Sequence, residues 1–156
     1  MGKTIKVPKG KPITTQMTLT VNADELPPTV CWPLATNSTV IDDGLVQVIF
    51  PGGSDASNRK ERAILDITLV KTGQAATCLT FTGAGIEVES DTGGGKNDVK
   101  TSLKNGGKTL RMVIAKDAVG DASINYKFTI AAKAKGSKQE EYKSFDPILI
   151  IHRPPN

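Results

Sequence analysis

Apolar side chains recur at every second position of the stretch Ile124-Asn125-Tyr126-Lys127-Phe128-Thr129-Ile130-Ala131-Ala132. Successive side chains of a β-strand point to opposite faces, so this period of two predicts a strand with one buried face. Similar alternation occurs at residues 17–22, 45–50, 65–70, 78–82 and 109–114. The best helix candidate, residues 57–62, is short and polar, and we expect a loop or a single turn there.

Turn residues separate these candidate strands. Asn105-Gly106 is the strongest hairpin signal, since both residues tolerate a positive φ, and it predicts pairing of residues 99–103 with 110–114. The continuous apolar run Ile148-Leu149-Ile150-Ile151 predicts a strand buried on both faces. Residues 4–7 fit a short edge strand.

Several short strands without a convincing helix predict an all-β fold, a single-domain antiparallel β-sandwich of about 8–9 strands. Residues 121–128, which run from Asp121 to Tyr126 and Phe128, resemble the tyrosine corner of immunoglobulin-like domains. The spacing from acid to tyrosine is one residue longer than usual, and Phe128 stands where antibody domains have cysteine. The resemblance implies an architecture that is immunoglobulin-like in general terms.

The chain of 156 residues predicts one domain. We expect a basic N-terminal arm at 1–12, the sandwich at 13–152 and a proline-rich tail at 153–156. No apolar segment of a signal peptide follows the first lysines, so we expect cytoplasmic synthesis, a virion location if the protein is viral, and secretion only if a signal was removed. We expect no membrane span, since no window of 18 apolar residues occurs.

The single histidine, His152, limits the chemistry that the chain can perform. Acyl transfer needs a histidine beside a nucleophile, and blue-copper and zinc sites need several ligands of this kind. We interpret His152 as a strand-edge residue and expect no catalytic residues, no metal and no cofactor. A small enzyme remains an alternative only if carboxylates converge in a deep pocket. Glu87, Glu89 and Asp91 alternate and are predicted to share a face.

Lysines are clustered in a chain with a net charge of +4. Two clusters are prominent: Lys3, Lys6, Lys9 and Lys11, and Lys96, Lys100, Lys104 and Lys108. Lysine on a sheet edge prevents aggregation, which is the simpler interpretation. The alternative is an interface for the first cluster and a polyanion-binding surface for the second. Aromatic residues make up 4% of the chain, so we do not expect nucleic acid as the partner.

Three further residues are candidates for a structural or binding role. Cys31 and Cys78 are either free thiols or a disulfide, and the missing signal peptide favours thiols. Trp32 is either a packing residue or an interface anchor.

By elimination, we expect a non-enzymatic structural or assembly protein that packs on copies of itself or on other structural subunits. A virion surface or decoration protein and a filament subunit are the two settings considered. The alternative is a ligand-binding module for carbohydrate or polyanionic surfaces.

Overall fold

The computed structural model describes residues 3–22, 24, 29–31, 45–52, 60–73, 77–115, 120–134, 136, 138–143 and 147–154. These residues contain eleven strands: β1 (Lys3–Lys6), β2 (Ile13–Asn22), β3 (Thr29–Cys31), β4 (Leu45–Ile49), β5 (Arg62–Thr72), β6 (Thr77–Thr92), β7 (Val99–Lys104), β8 (Thr109–Ala115), β9 (Ala122–Ala134), β10 (Glu140–Lys143) and β11 (Ile148–His152). Short 3-10 helices at Gly95–Asp98 and Asn105–Gly107 flank β7. No α-helix occurs in these ranges.

The strands form two sheets. In sheet I the order is β1-β4-β11-β9, with β10 and β11 sharing one edge of β9 and β6 pairing along its other edge. In sheet II the order is β3-β2-β5-β8-β7. The two sheets pack face to face, so the predicted all-β sandwich is confirmed.

The core lies between the sheets and follows the predicted alternation. On β9 the side chains of Ile124, Tyr126, Phe128 and Ile130 are all buried. The rings of Tyr126 and Phe128 meet nearly edge to face, with centroids 5.4 Å apart. Burial raises the pKa of the Tyr126 hydroxyl, because the interior disfavours its ionised form.

Both sheets are mixed, whereas the sequence predicts antiparallel ones. The pairs β1–β4, β4–β11 and β2–β5 run parallel, and the other pairs run antiparallel. An alternating pattern reports only which face of a strand is buried and is the same for either direction. The predicted number of strands omits short ones such as β3 and β10, which hold three and four residues.

One strand prediction is wrong. The run Ile148–Ile151 is buried on one face only, because Leu149 and Ile151 are fully buried whereas Ile148 is 36% exposed. Strand β11 is an inner strand whose second face is the outer surface of sheet I. Ile148 and Ile150 lie on that outer face and are also apolar, so four consecutive positions of the sequence are apolar although only one face is buried.

The hairpin prediction is confirmed. Val99 pairs with Ile114 and Leu103 with Leu110, and the turn between the strands holds Asn105 at φ 54° and Gly106 at φ 67°. The short N-terminal strand is also present as β1, and Ile5 and Val7 belong to the core.

Candidate interaction surface

Two lysines of the second cluster share one face of an edge strand. Lys100, Ser102 and Lys104 occupy the exposed alternate positions of β7, and the positions between them face the core. Lys104 follows Lys100 by four positions along the strand, so the Cα atoms of these two lysines are about 13 Å apart. Lys96 and Lys108 are exposed beyond opposite ends of β7, so the structure does not place all four lysines on one face.

An arginine lies directly behind this row. The hairpin register sets Arg111 of β8 opposite Ser102. Arg111 donates from Nε to Asp66 Oδ1 at 2.8 Å and from Nη2 to Asp66 Oδ2 at 2.9 Å. This bidentate contact fixes the plane of the guanidinium, and the arginine side chain stays 32% exposed.

We call Lys100, Ser102, Lys104 and Arg111 the β7 cationic face. Opposite residues of paired strands have Cβ atoms about 5 Å apart, and diagonal neighbours are about 7–8 Å apart. Arg111 is therefore within diagonal reach of both lysines. Three cations and the Ser102 hydroxyl thus lie on one patch, where Asp66 pairs with Arg111.

The charges on this face influence one another. The hydrogen bond from Arg111 holds the pKa of Asp66 below its usual value, against the opposing effect of desolvation, and the charge of Lys104 adds to the lowering. The same hydrogen bond raises the pKa of Arg111. Asp66 is therefore an ionised counterion that orients Arg111, and the face keeps an excess of positive charge.

The other edge of β7 pairs with no strand in the part of the chain that the structure describes. An unpaired edge offers a row of backbone N–H and C=O groups to a partner. The β7 cationic face therefore lies beside an unused hydrogen-bonding edge.

The first lysine cluster lies at a different edge. Lys6 is exposed on β1, which ends sheet I on the side opposite β6, and Lys9 and Lys11 are exposed in the loop that follows. Lys3 is half-buried at the start of β1. The two clusters are thus separate surfaces.

The start of β7 is fixed by a buried ion pair. Arg153 Nη1 donates to Asp98 Oδ2 at 2.5 Å, and both side chains are only 1% exposed. Arg153 also donates from Nε to the Gly120 carbonyl and from Nη2 to the Gly93 carbonyl. Predicted as the first residue of a tail, Arg153 instead lies inside the domain and holds the 3-10 helix that leads into β7.

His152 has both ring nitrogens engaged by side chains. Its Nδ1 lies 3.2 Å from Asp121 Oδ1, and its Nε2 lies 3.2 Å from Gln47 Oε1. An Asp–His pair also orients the base in hydrolases, where the second nitrogen faces a nucleophile. Here that nitrogen lies beside the amide oxygen of Gln47.

A buried carboxylate holds the N-terminal loop. Glu61 is 1% exposed, and its Oε2 accepts a hydrogen bond from the Gly10 N–H at 2.7 Å. Its Oε1 has no hydrogen-bond partner within the described ranges. This contact ties the loop after β1 to the residue that precedes β5.

The structure describes only some of the remaining candidate residues. Cys78 is a free, exposed cysteine on β6. Cys31 ends β3, and nothing is described of its side chain. Trp32 and residues 57–59 lie outside the described residues.

The model of the DP-EP family matches residues 11–153. The chain belongs to the DP-EP family. The matched range of this DP-EP chain contains all of sheet II, the β7 cationic face and the Arg153–Asp98 pair, and it leaves out β1. No curated protein shows a significant match to the chain. In the described parts of the DP-EP chain, no helix is long and apolar enough to cross a membrane, and no group of three or more metal-binding side chains occurs.

Proposed function

We propose that this DP-EP chain is a non-enzymatic structural subunit that packs against a partner subunit through the β7 cationic face. The observation that carries the proposal is the coincidence of three cations with a strand edge that pairs with no other strand among the described residues. An edge strand recruits a partner through backbone hydrogen bonds, and its side chains select which partner fits.

The lysines restrict the choice of partner. If β7 of one copy paired with β7 of another, Lys100 and Lys104 would meet lysines of the second copy, and like charges at an interface are unfavourable. The partner surface therefore carries acidic side chains. Such complementarity raises the association rate and makes the binding sensitive to salt.

The surroundings of His152 support a role without catalysis. Its hydrogen-bond partners are Asp121 and Gln47, which tie β11 to the start of β9 and to β4. The residue thus links three strands on the outer face of sheet I. This accounts for His152 as a structural residue.

A virion surface or decoration protein and a filament subunit are the settings that we propose for such a module. The same β7 cationic face supports a second candidate function, the binding of a polyanionic surface. The two lysines and Arg111 would then contact sulfate, phosphate or carboxylate groups of a polymer instead of an acidic protein surface.

The proposal is tested by measuring the association of the purified chain in sedimentation velocity, with negative-stain microscopy of the assembled fraction. We expect assembly at low salt in the wild type, and weaker assembly in the Lys100→Ala/Lys104→Ala variant. The matched control is Lys3→Ala/Lys6→Ala, which removes the same charge from the opposite edge and should assemble like wild type.

A chain that stays monomeric at every concentration would contradict the proposal, as would equal assembly by both double variants. Retention on heparin that depends on Lys100 and Lys104, without assembly, would instead support the polyanion-binding function.

A further inference from the structure

Strands β6 and β7 end their two sheets on the same side of the sandwich. β9 uses one edge for β10 and β11 and the other for β6, so β6 is the last strand of sheet I. β7 is the last strand of sheet II. β6 contacts β7, and the chain passes from one to the other through the 3-10 helix Gly95–Asp98. Among the described residues, the outer edges of β6 and β7 pair with no further strand, and both open in the same direction.

The two edges carry opposite charges. Residues 86–92 of β6 contain the acids Glu87, Glu89 and Asp91 and no base, whereas β7 contains two lysines and no acid. Glu87 and Glu89 are exposed, and Asp91 accepts a hydrogen bond from the Lys96 N–H. One side of the molecule thus presents an acidic strand at the edge of sheet I and a basic strand at the edge of sheet II.

We infer that two copies of the chain join through this side, with β6 of each copy beside β7 of the other. A two-fold axis that lies in the plane of this side and runs along the strands places sheet I of one copy opposite sheet II of the second. The acidic edge of each copy then lies beside the basic edge of the other copy. Sheet I of one copy therefore continues into sheet II of the second. Such an interface is self-complementary and closed. The inference rests on the proposed role of the β7 cationic face in assembly and specifies its partner.

The charges favour pairing of β6 with β7 of the second copy over pairing of identical edges. Pairing of β7 with β7 opposes lysines, and pairing of β6 with β6 opposes glutamates. Within one chain Glu87 contacts Lys143 at 2.6 Å and Glu89 contacts Lys127 at 3.6 Å. These ion pairs are solvent-exposed and weak, so the glutamates can exchange partners when a second copy approaches.

The experiment uses two charge-reversed variants of the full chain, studied alone and as an equimolar mixture. The first variant is Lys100→Glu/Lys104→Glu, in which both edges are acidic. The second is Glu87→Lys/Glu89→Lys, in which both edges are basic. Circular dichroism and thermal melting verify that each variant folds. Lys3→Glu/Lys6→Glu is the control for a charge change of equal size at the opposite edge.

We expect each variant alone to associate at least roughly tenfold more weakly than wild type, since like charges then meet at the interface. The mixture should form a heterodimer with nearly wild-type affinity, because every acidic edge again meets a basic one. The control should dimerise like wild type.

Two results would overturn the inference. In the first, reversal of Lys100 and Lys104 weakens association but reversal of Glu87 and Glu89 does not. In the second, the mixture fails to associate although both variants fold. In either case dependence on Lys100 and Lys104 would leave the proposed assembly function standing, whereas a wild-type chain that never associates would contradict both.

Discussion

Arg153 and Asp98 form an ion pair that is almost completely hidden from solvent, with 2.5 Å between Nη1 and Oδ2. The guanidinium also donates to the carbonyls of Gly93 and Gly120, so Nε, Nη1 and Nη2 all have acceptors. A buried charge is tolerated only when it is paired and hydrogen-bonded in this way. Arg153, the residue after the last strand, thus ties the β6–β7 connection to the β8–β9 connection.

Replacing Arg153 by alanine should be strongly destabilising. The substitution leaves the Asp98 carboxylate buried without its counterion, and the loss of one partner of a buried pair costs about 3–5 kcal/mol. Denaturant unfolding of Arg153→Ala measures this cost. The control is Arg62→Ala, an exposed arginine on β5, for which we expect a change within about 0.5 kcal/mol. A comparable small change in both variants would show that the buried pair does not stabilise the fold.

Two glycines of β6 allow a matched comparison. Gly85 has φ 82°, and a Cβ added to it would lie 2.5 Å from Leu110 Cδ1, whereas Gly83 has φ 59° and open space around it. Alanine at either position costs about 1–2 kcal/mol for the left-handed backbone. Only Gly85→Ala also forces Leu110 to move, which costs a further 1–3 kcal/mol or so. Denaturant unfolding should therefore rank Gly85→Ala as the less stable variant, and the reverse order would refute the close packing of β6 on β8.

The Asp66–Arg111 pair predicts a loss of stability in acid. The pKa of Asp66 in the folded protein lies below its usual value of 3.8, chiefly because Arg111 donates to the carboxylate. The pair therefore stabilises the fold above that usual value, and its contribution disappears as the pH falls through the folded pKa. The free energy of unfolding should fall more between neutral and strongly acidic pH in wild type than in Asp66→Asn. Equal losses in the two proteins would mean that the ion pair is not formed in solution.

The thiol of Cys78 should react in the native protein. The side chain is exposed and unbridged, so a maleimide should label it without denaturant or reductant. Mass spectrometry of the Cys31→Ser variant isolates this reaction from that of the other cysteine. In wild type, protection of Cys78 that is lifted only by a reductant would identify the alternative disulfide.

The period of two in β9 was sufficient to predict the core of the sandwich, because it reports the buried face directly. It could not predict that β2 runs parallel to β5 or that β4 runs parallel to β11, since direction depends on how distant segments pair. The run Ile148–Ile151 was wrongly predicted to be buried on both faces for a related reason. Apolar residues on the outer face of sheet I look the same in sequence as residues of a second buried face.

The β7 cationic face could have been predicted more fully from the hairpin. The turn at Asn105-Gly106 fixes the register, and the observed pairing of Lys104 with Thr109 places Ser102 opposite Arg111. The sequence thus held the signal that brings Arg111 to the lysines. It held no comparable signal for Arg153, whose acceptors are 33–60 residues away in the chain.

The salt dependence of self-association measures whether the β7 cationic face binds an acidic partner surface. Sedimentation equilibrium of the wild-type chain over a salt series gives the association constant at each concentration. We predict that the constant falls steadily as salt increases, and that the Lys100→Ala/Lys104→Ala variant shows a weaker constant with a flatter slope. An association constant that does not change with salt, or a slope that is the same in the variant, would show that the β7 cationic face does not bind an acidic surface.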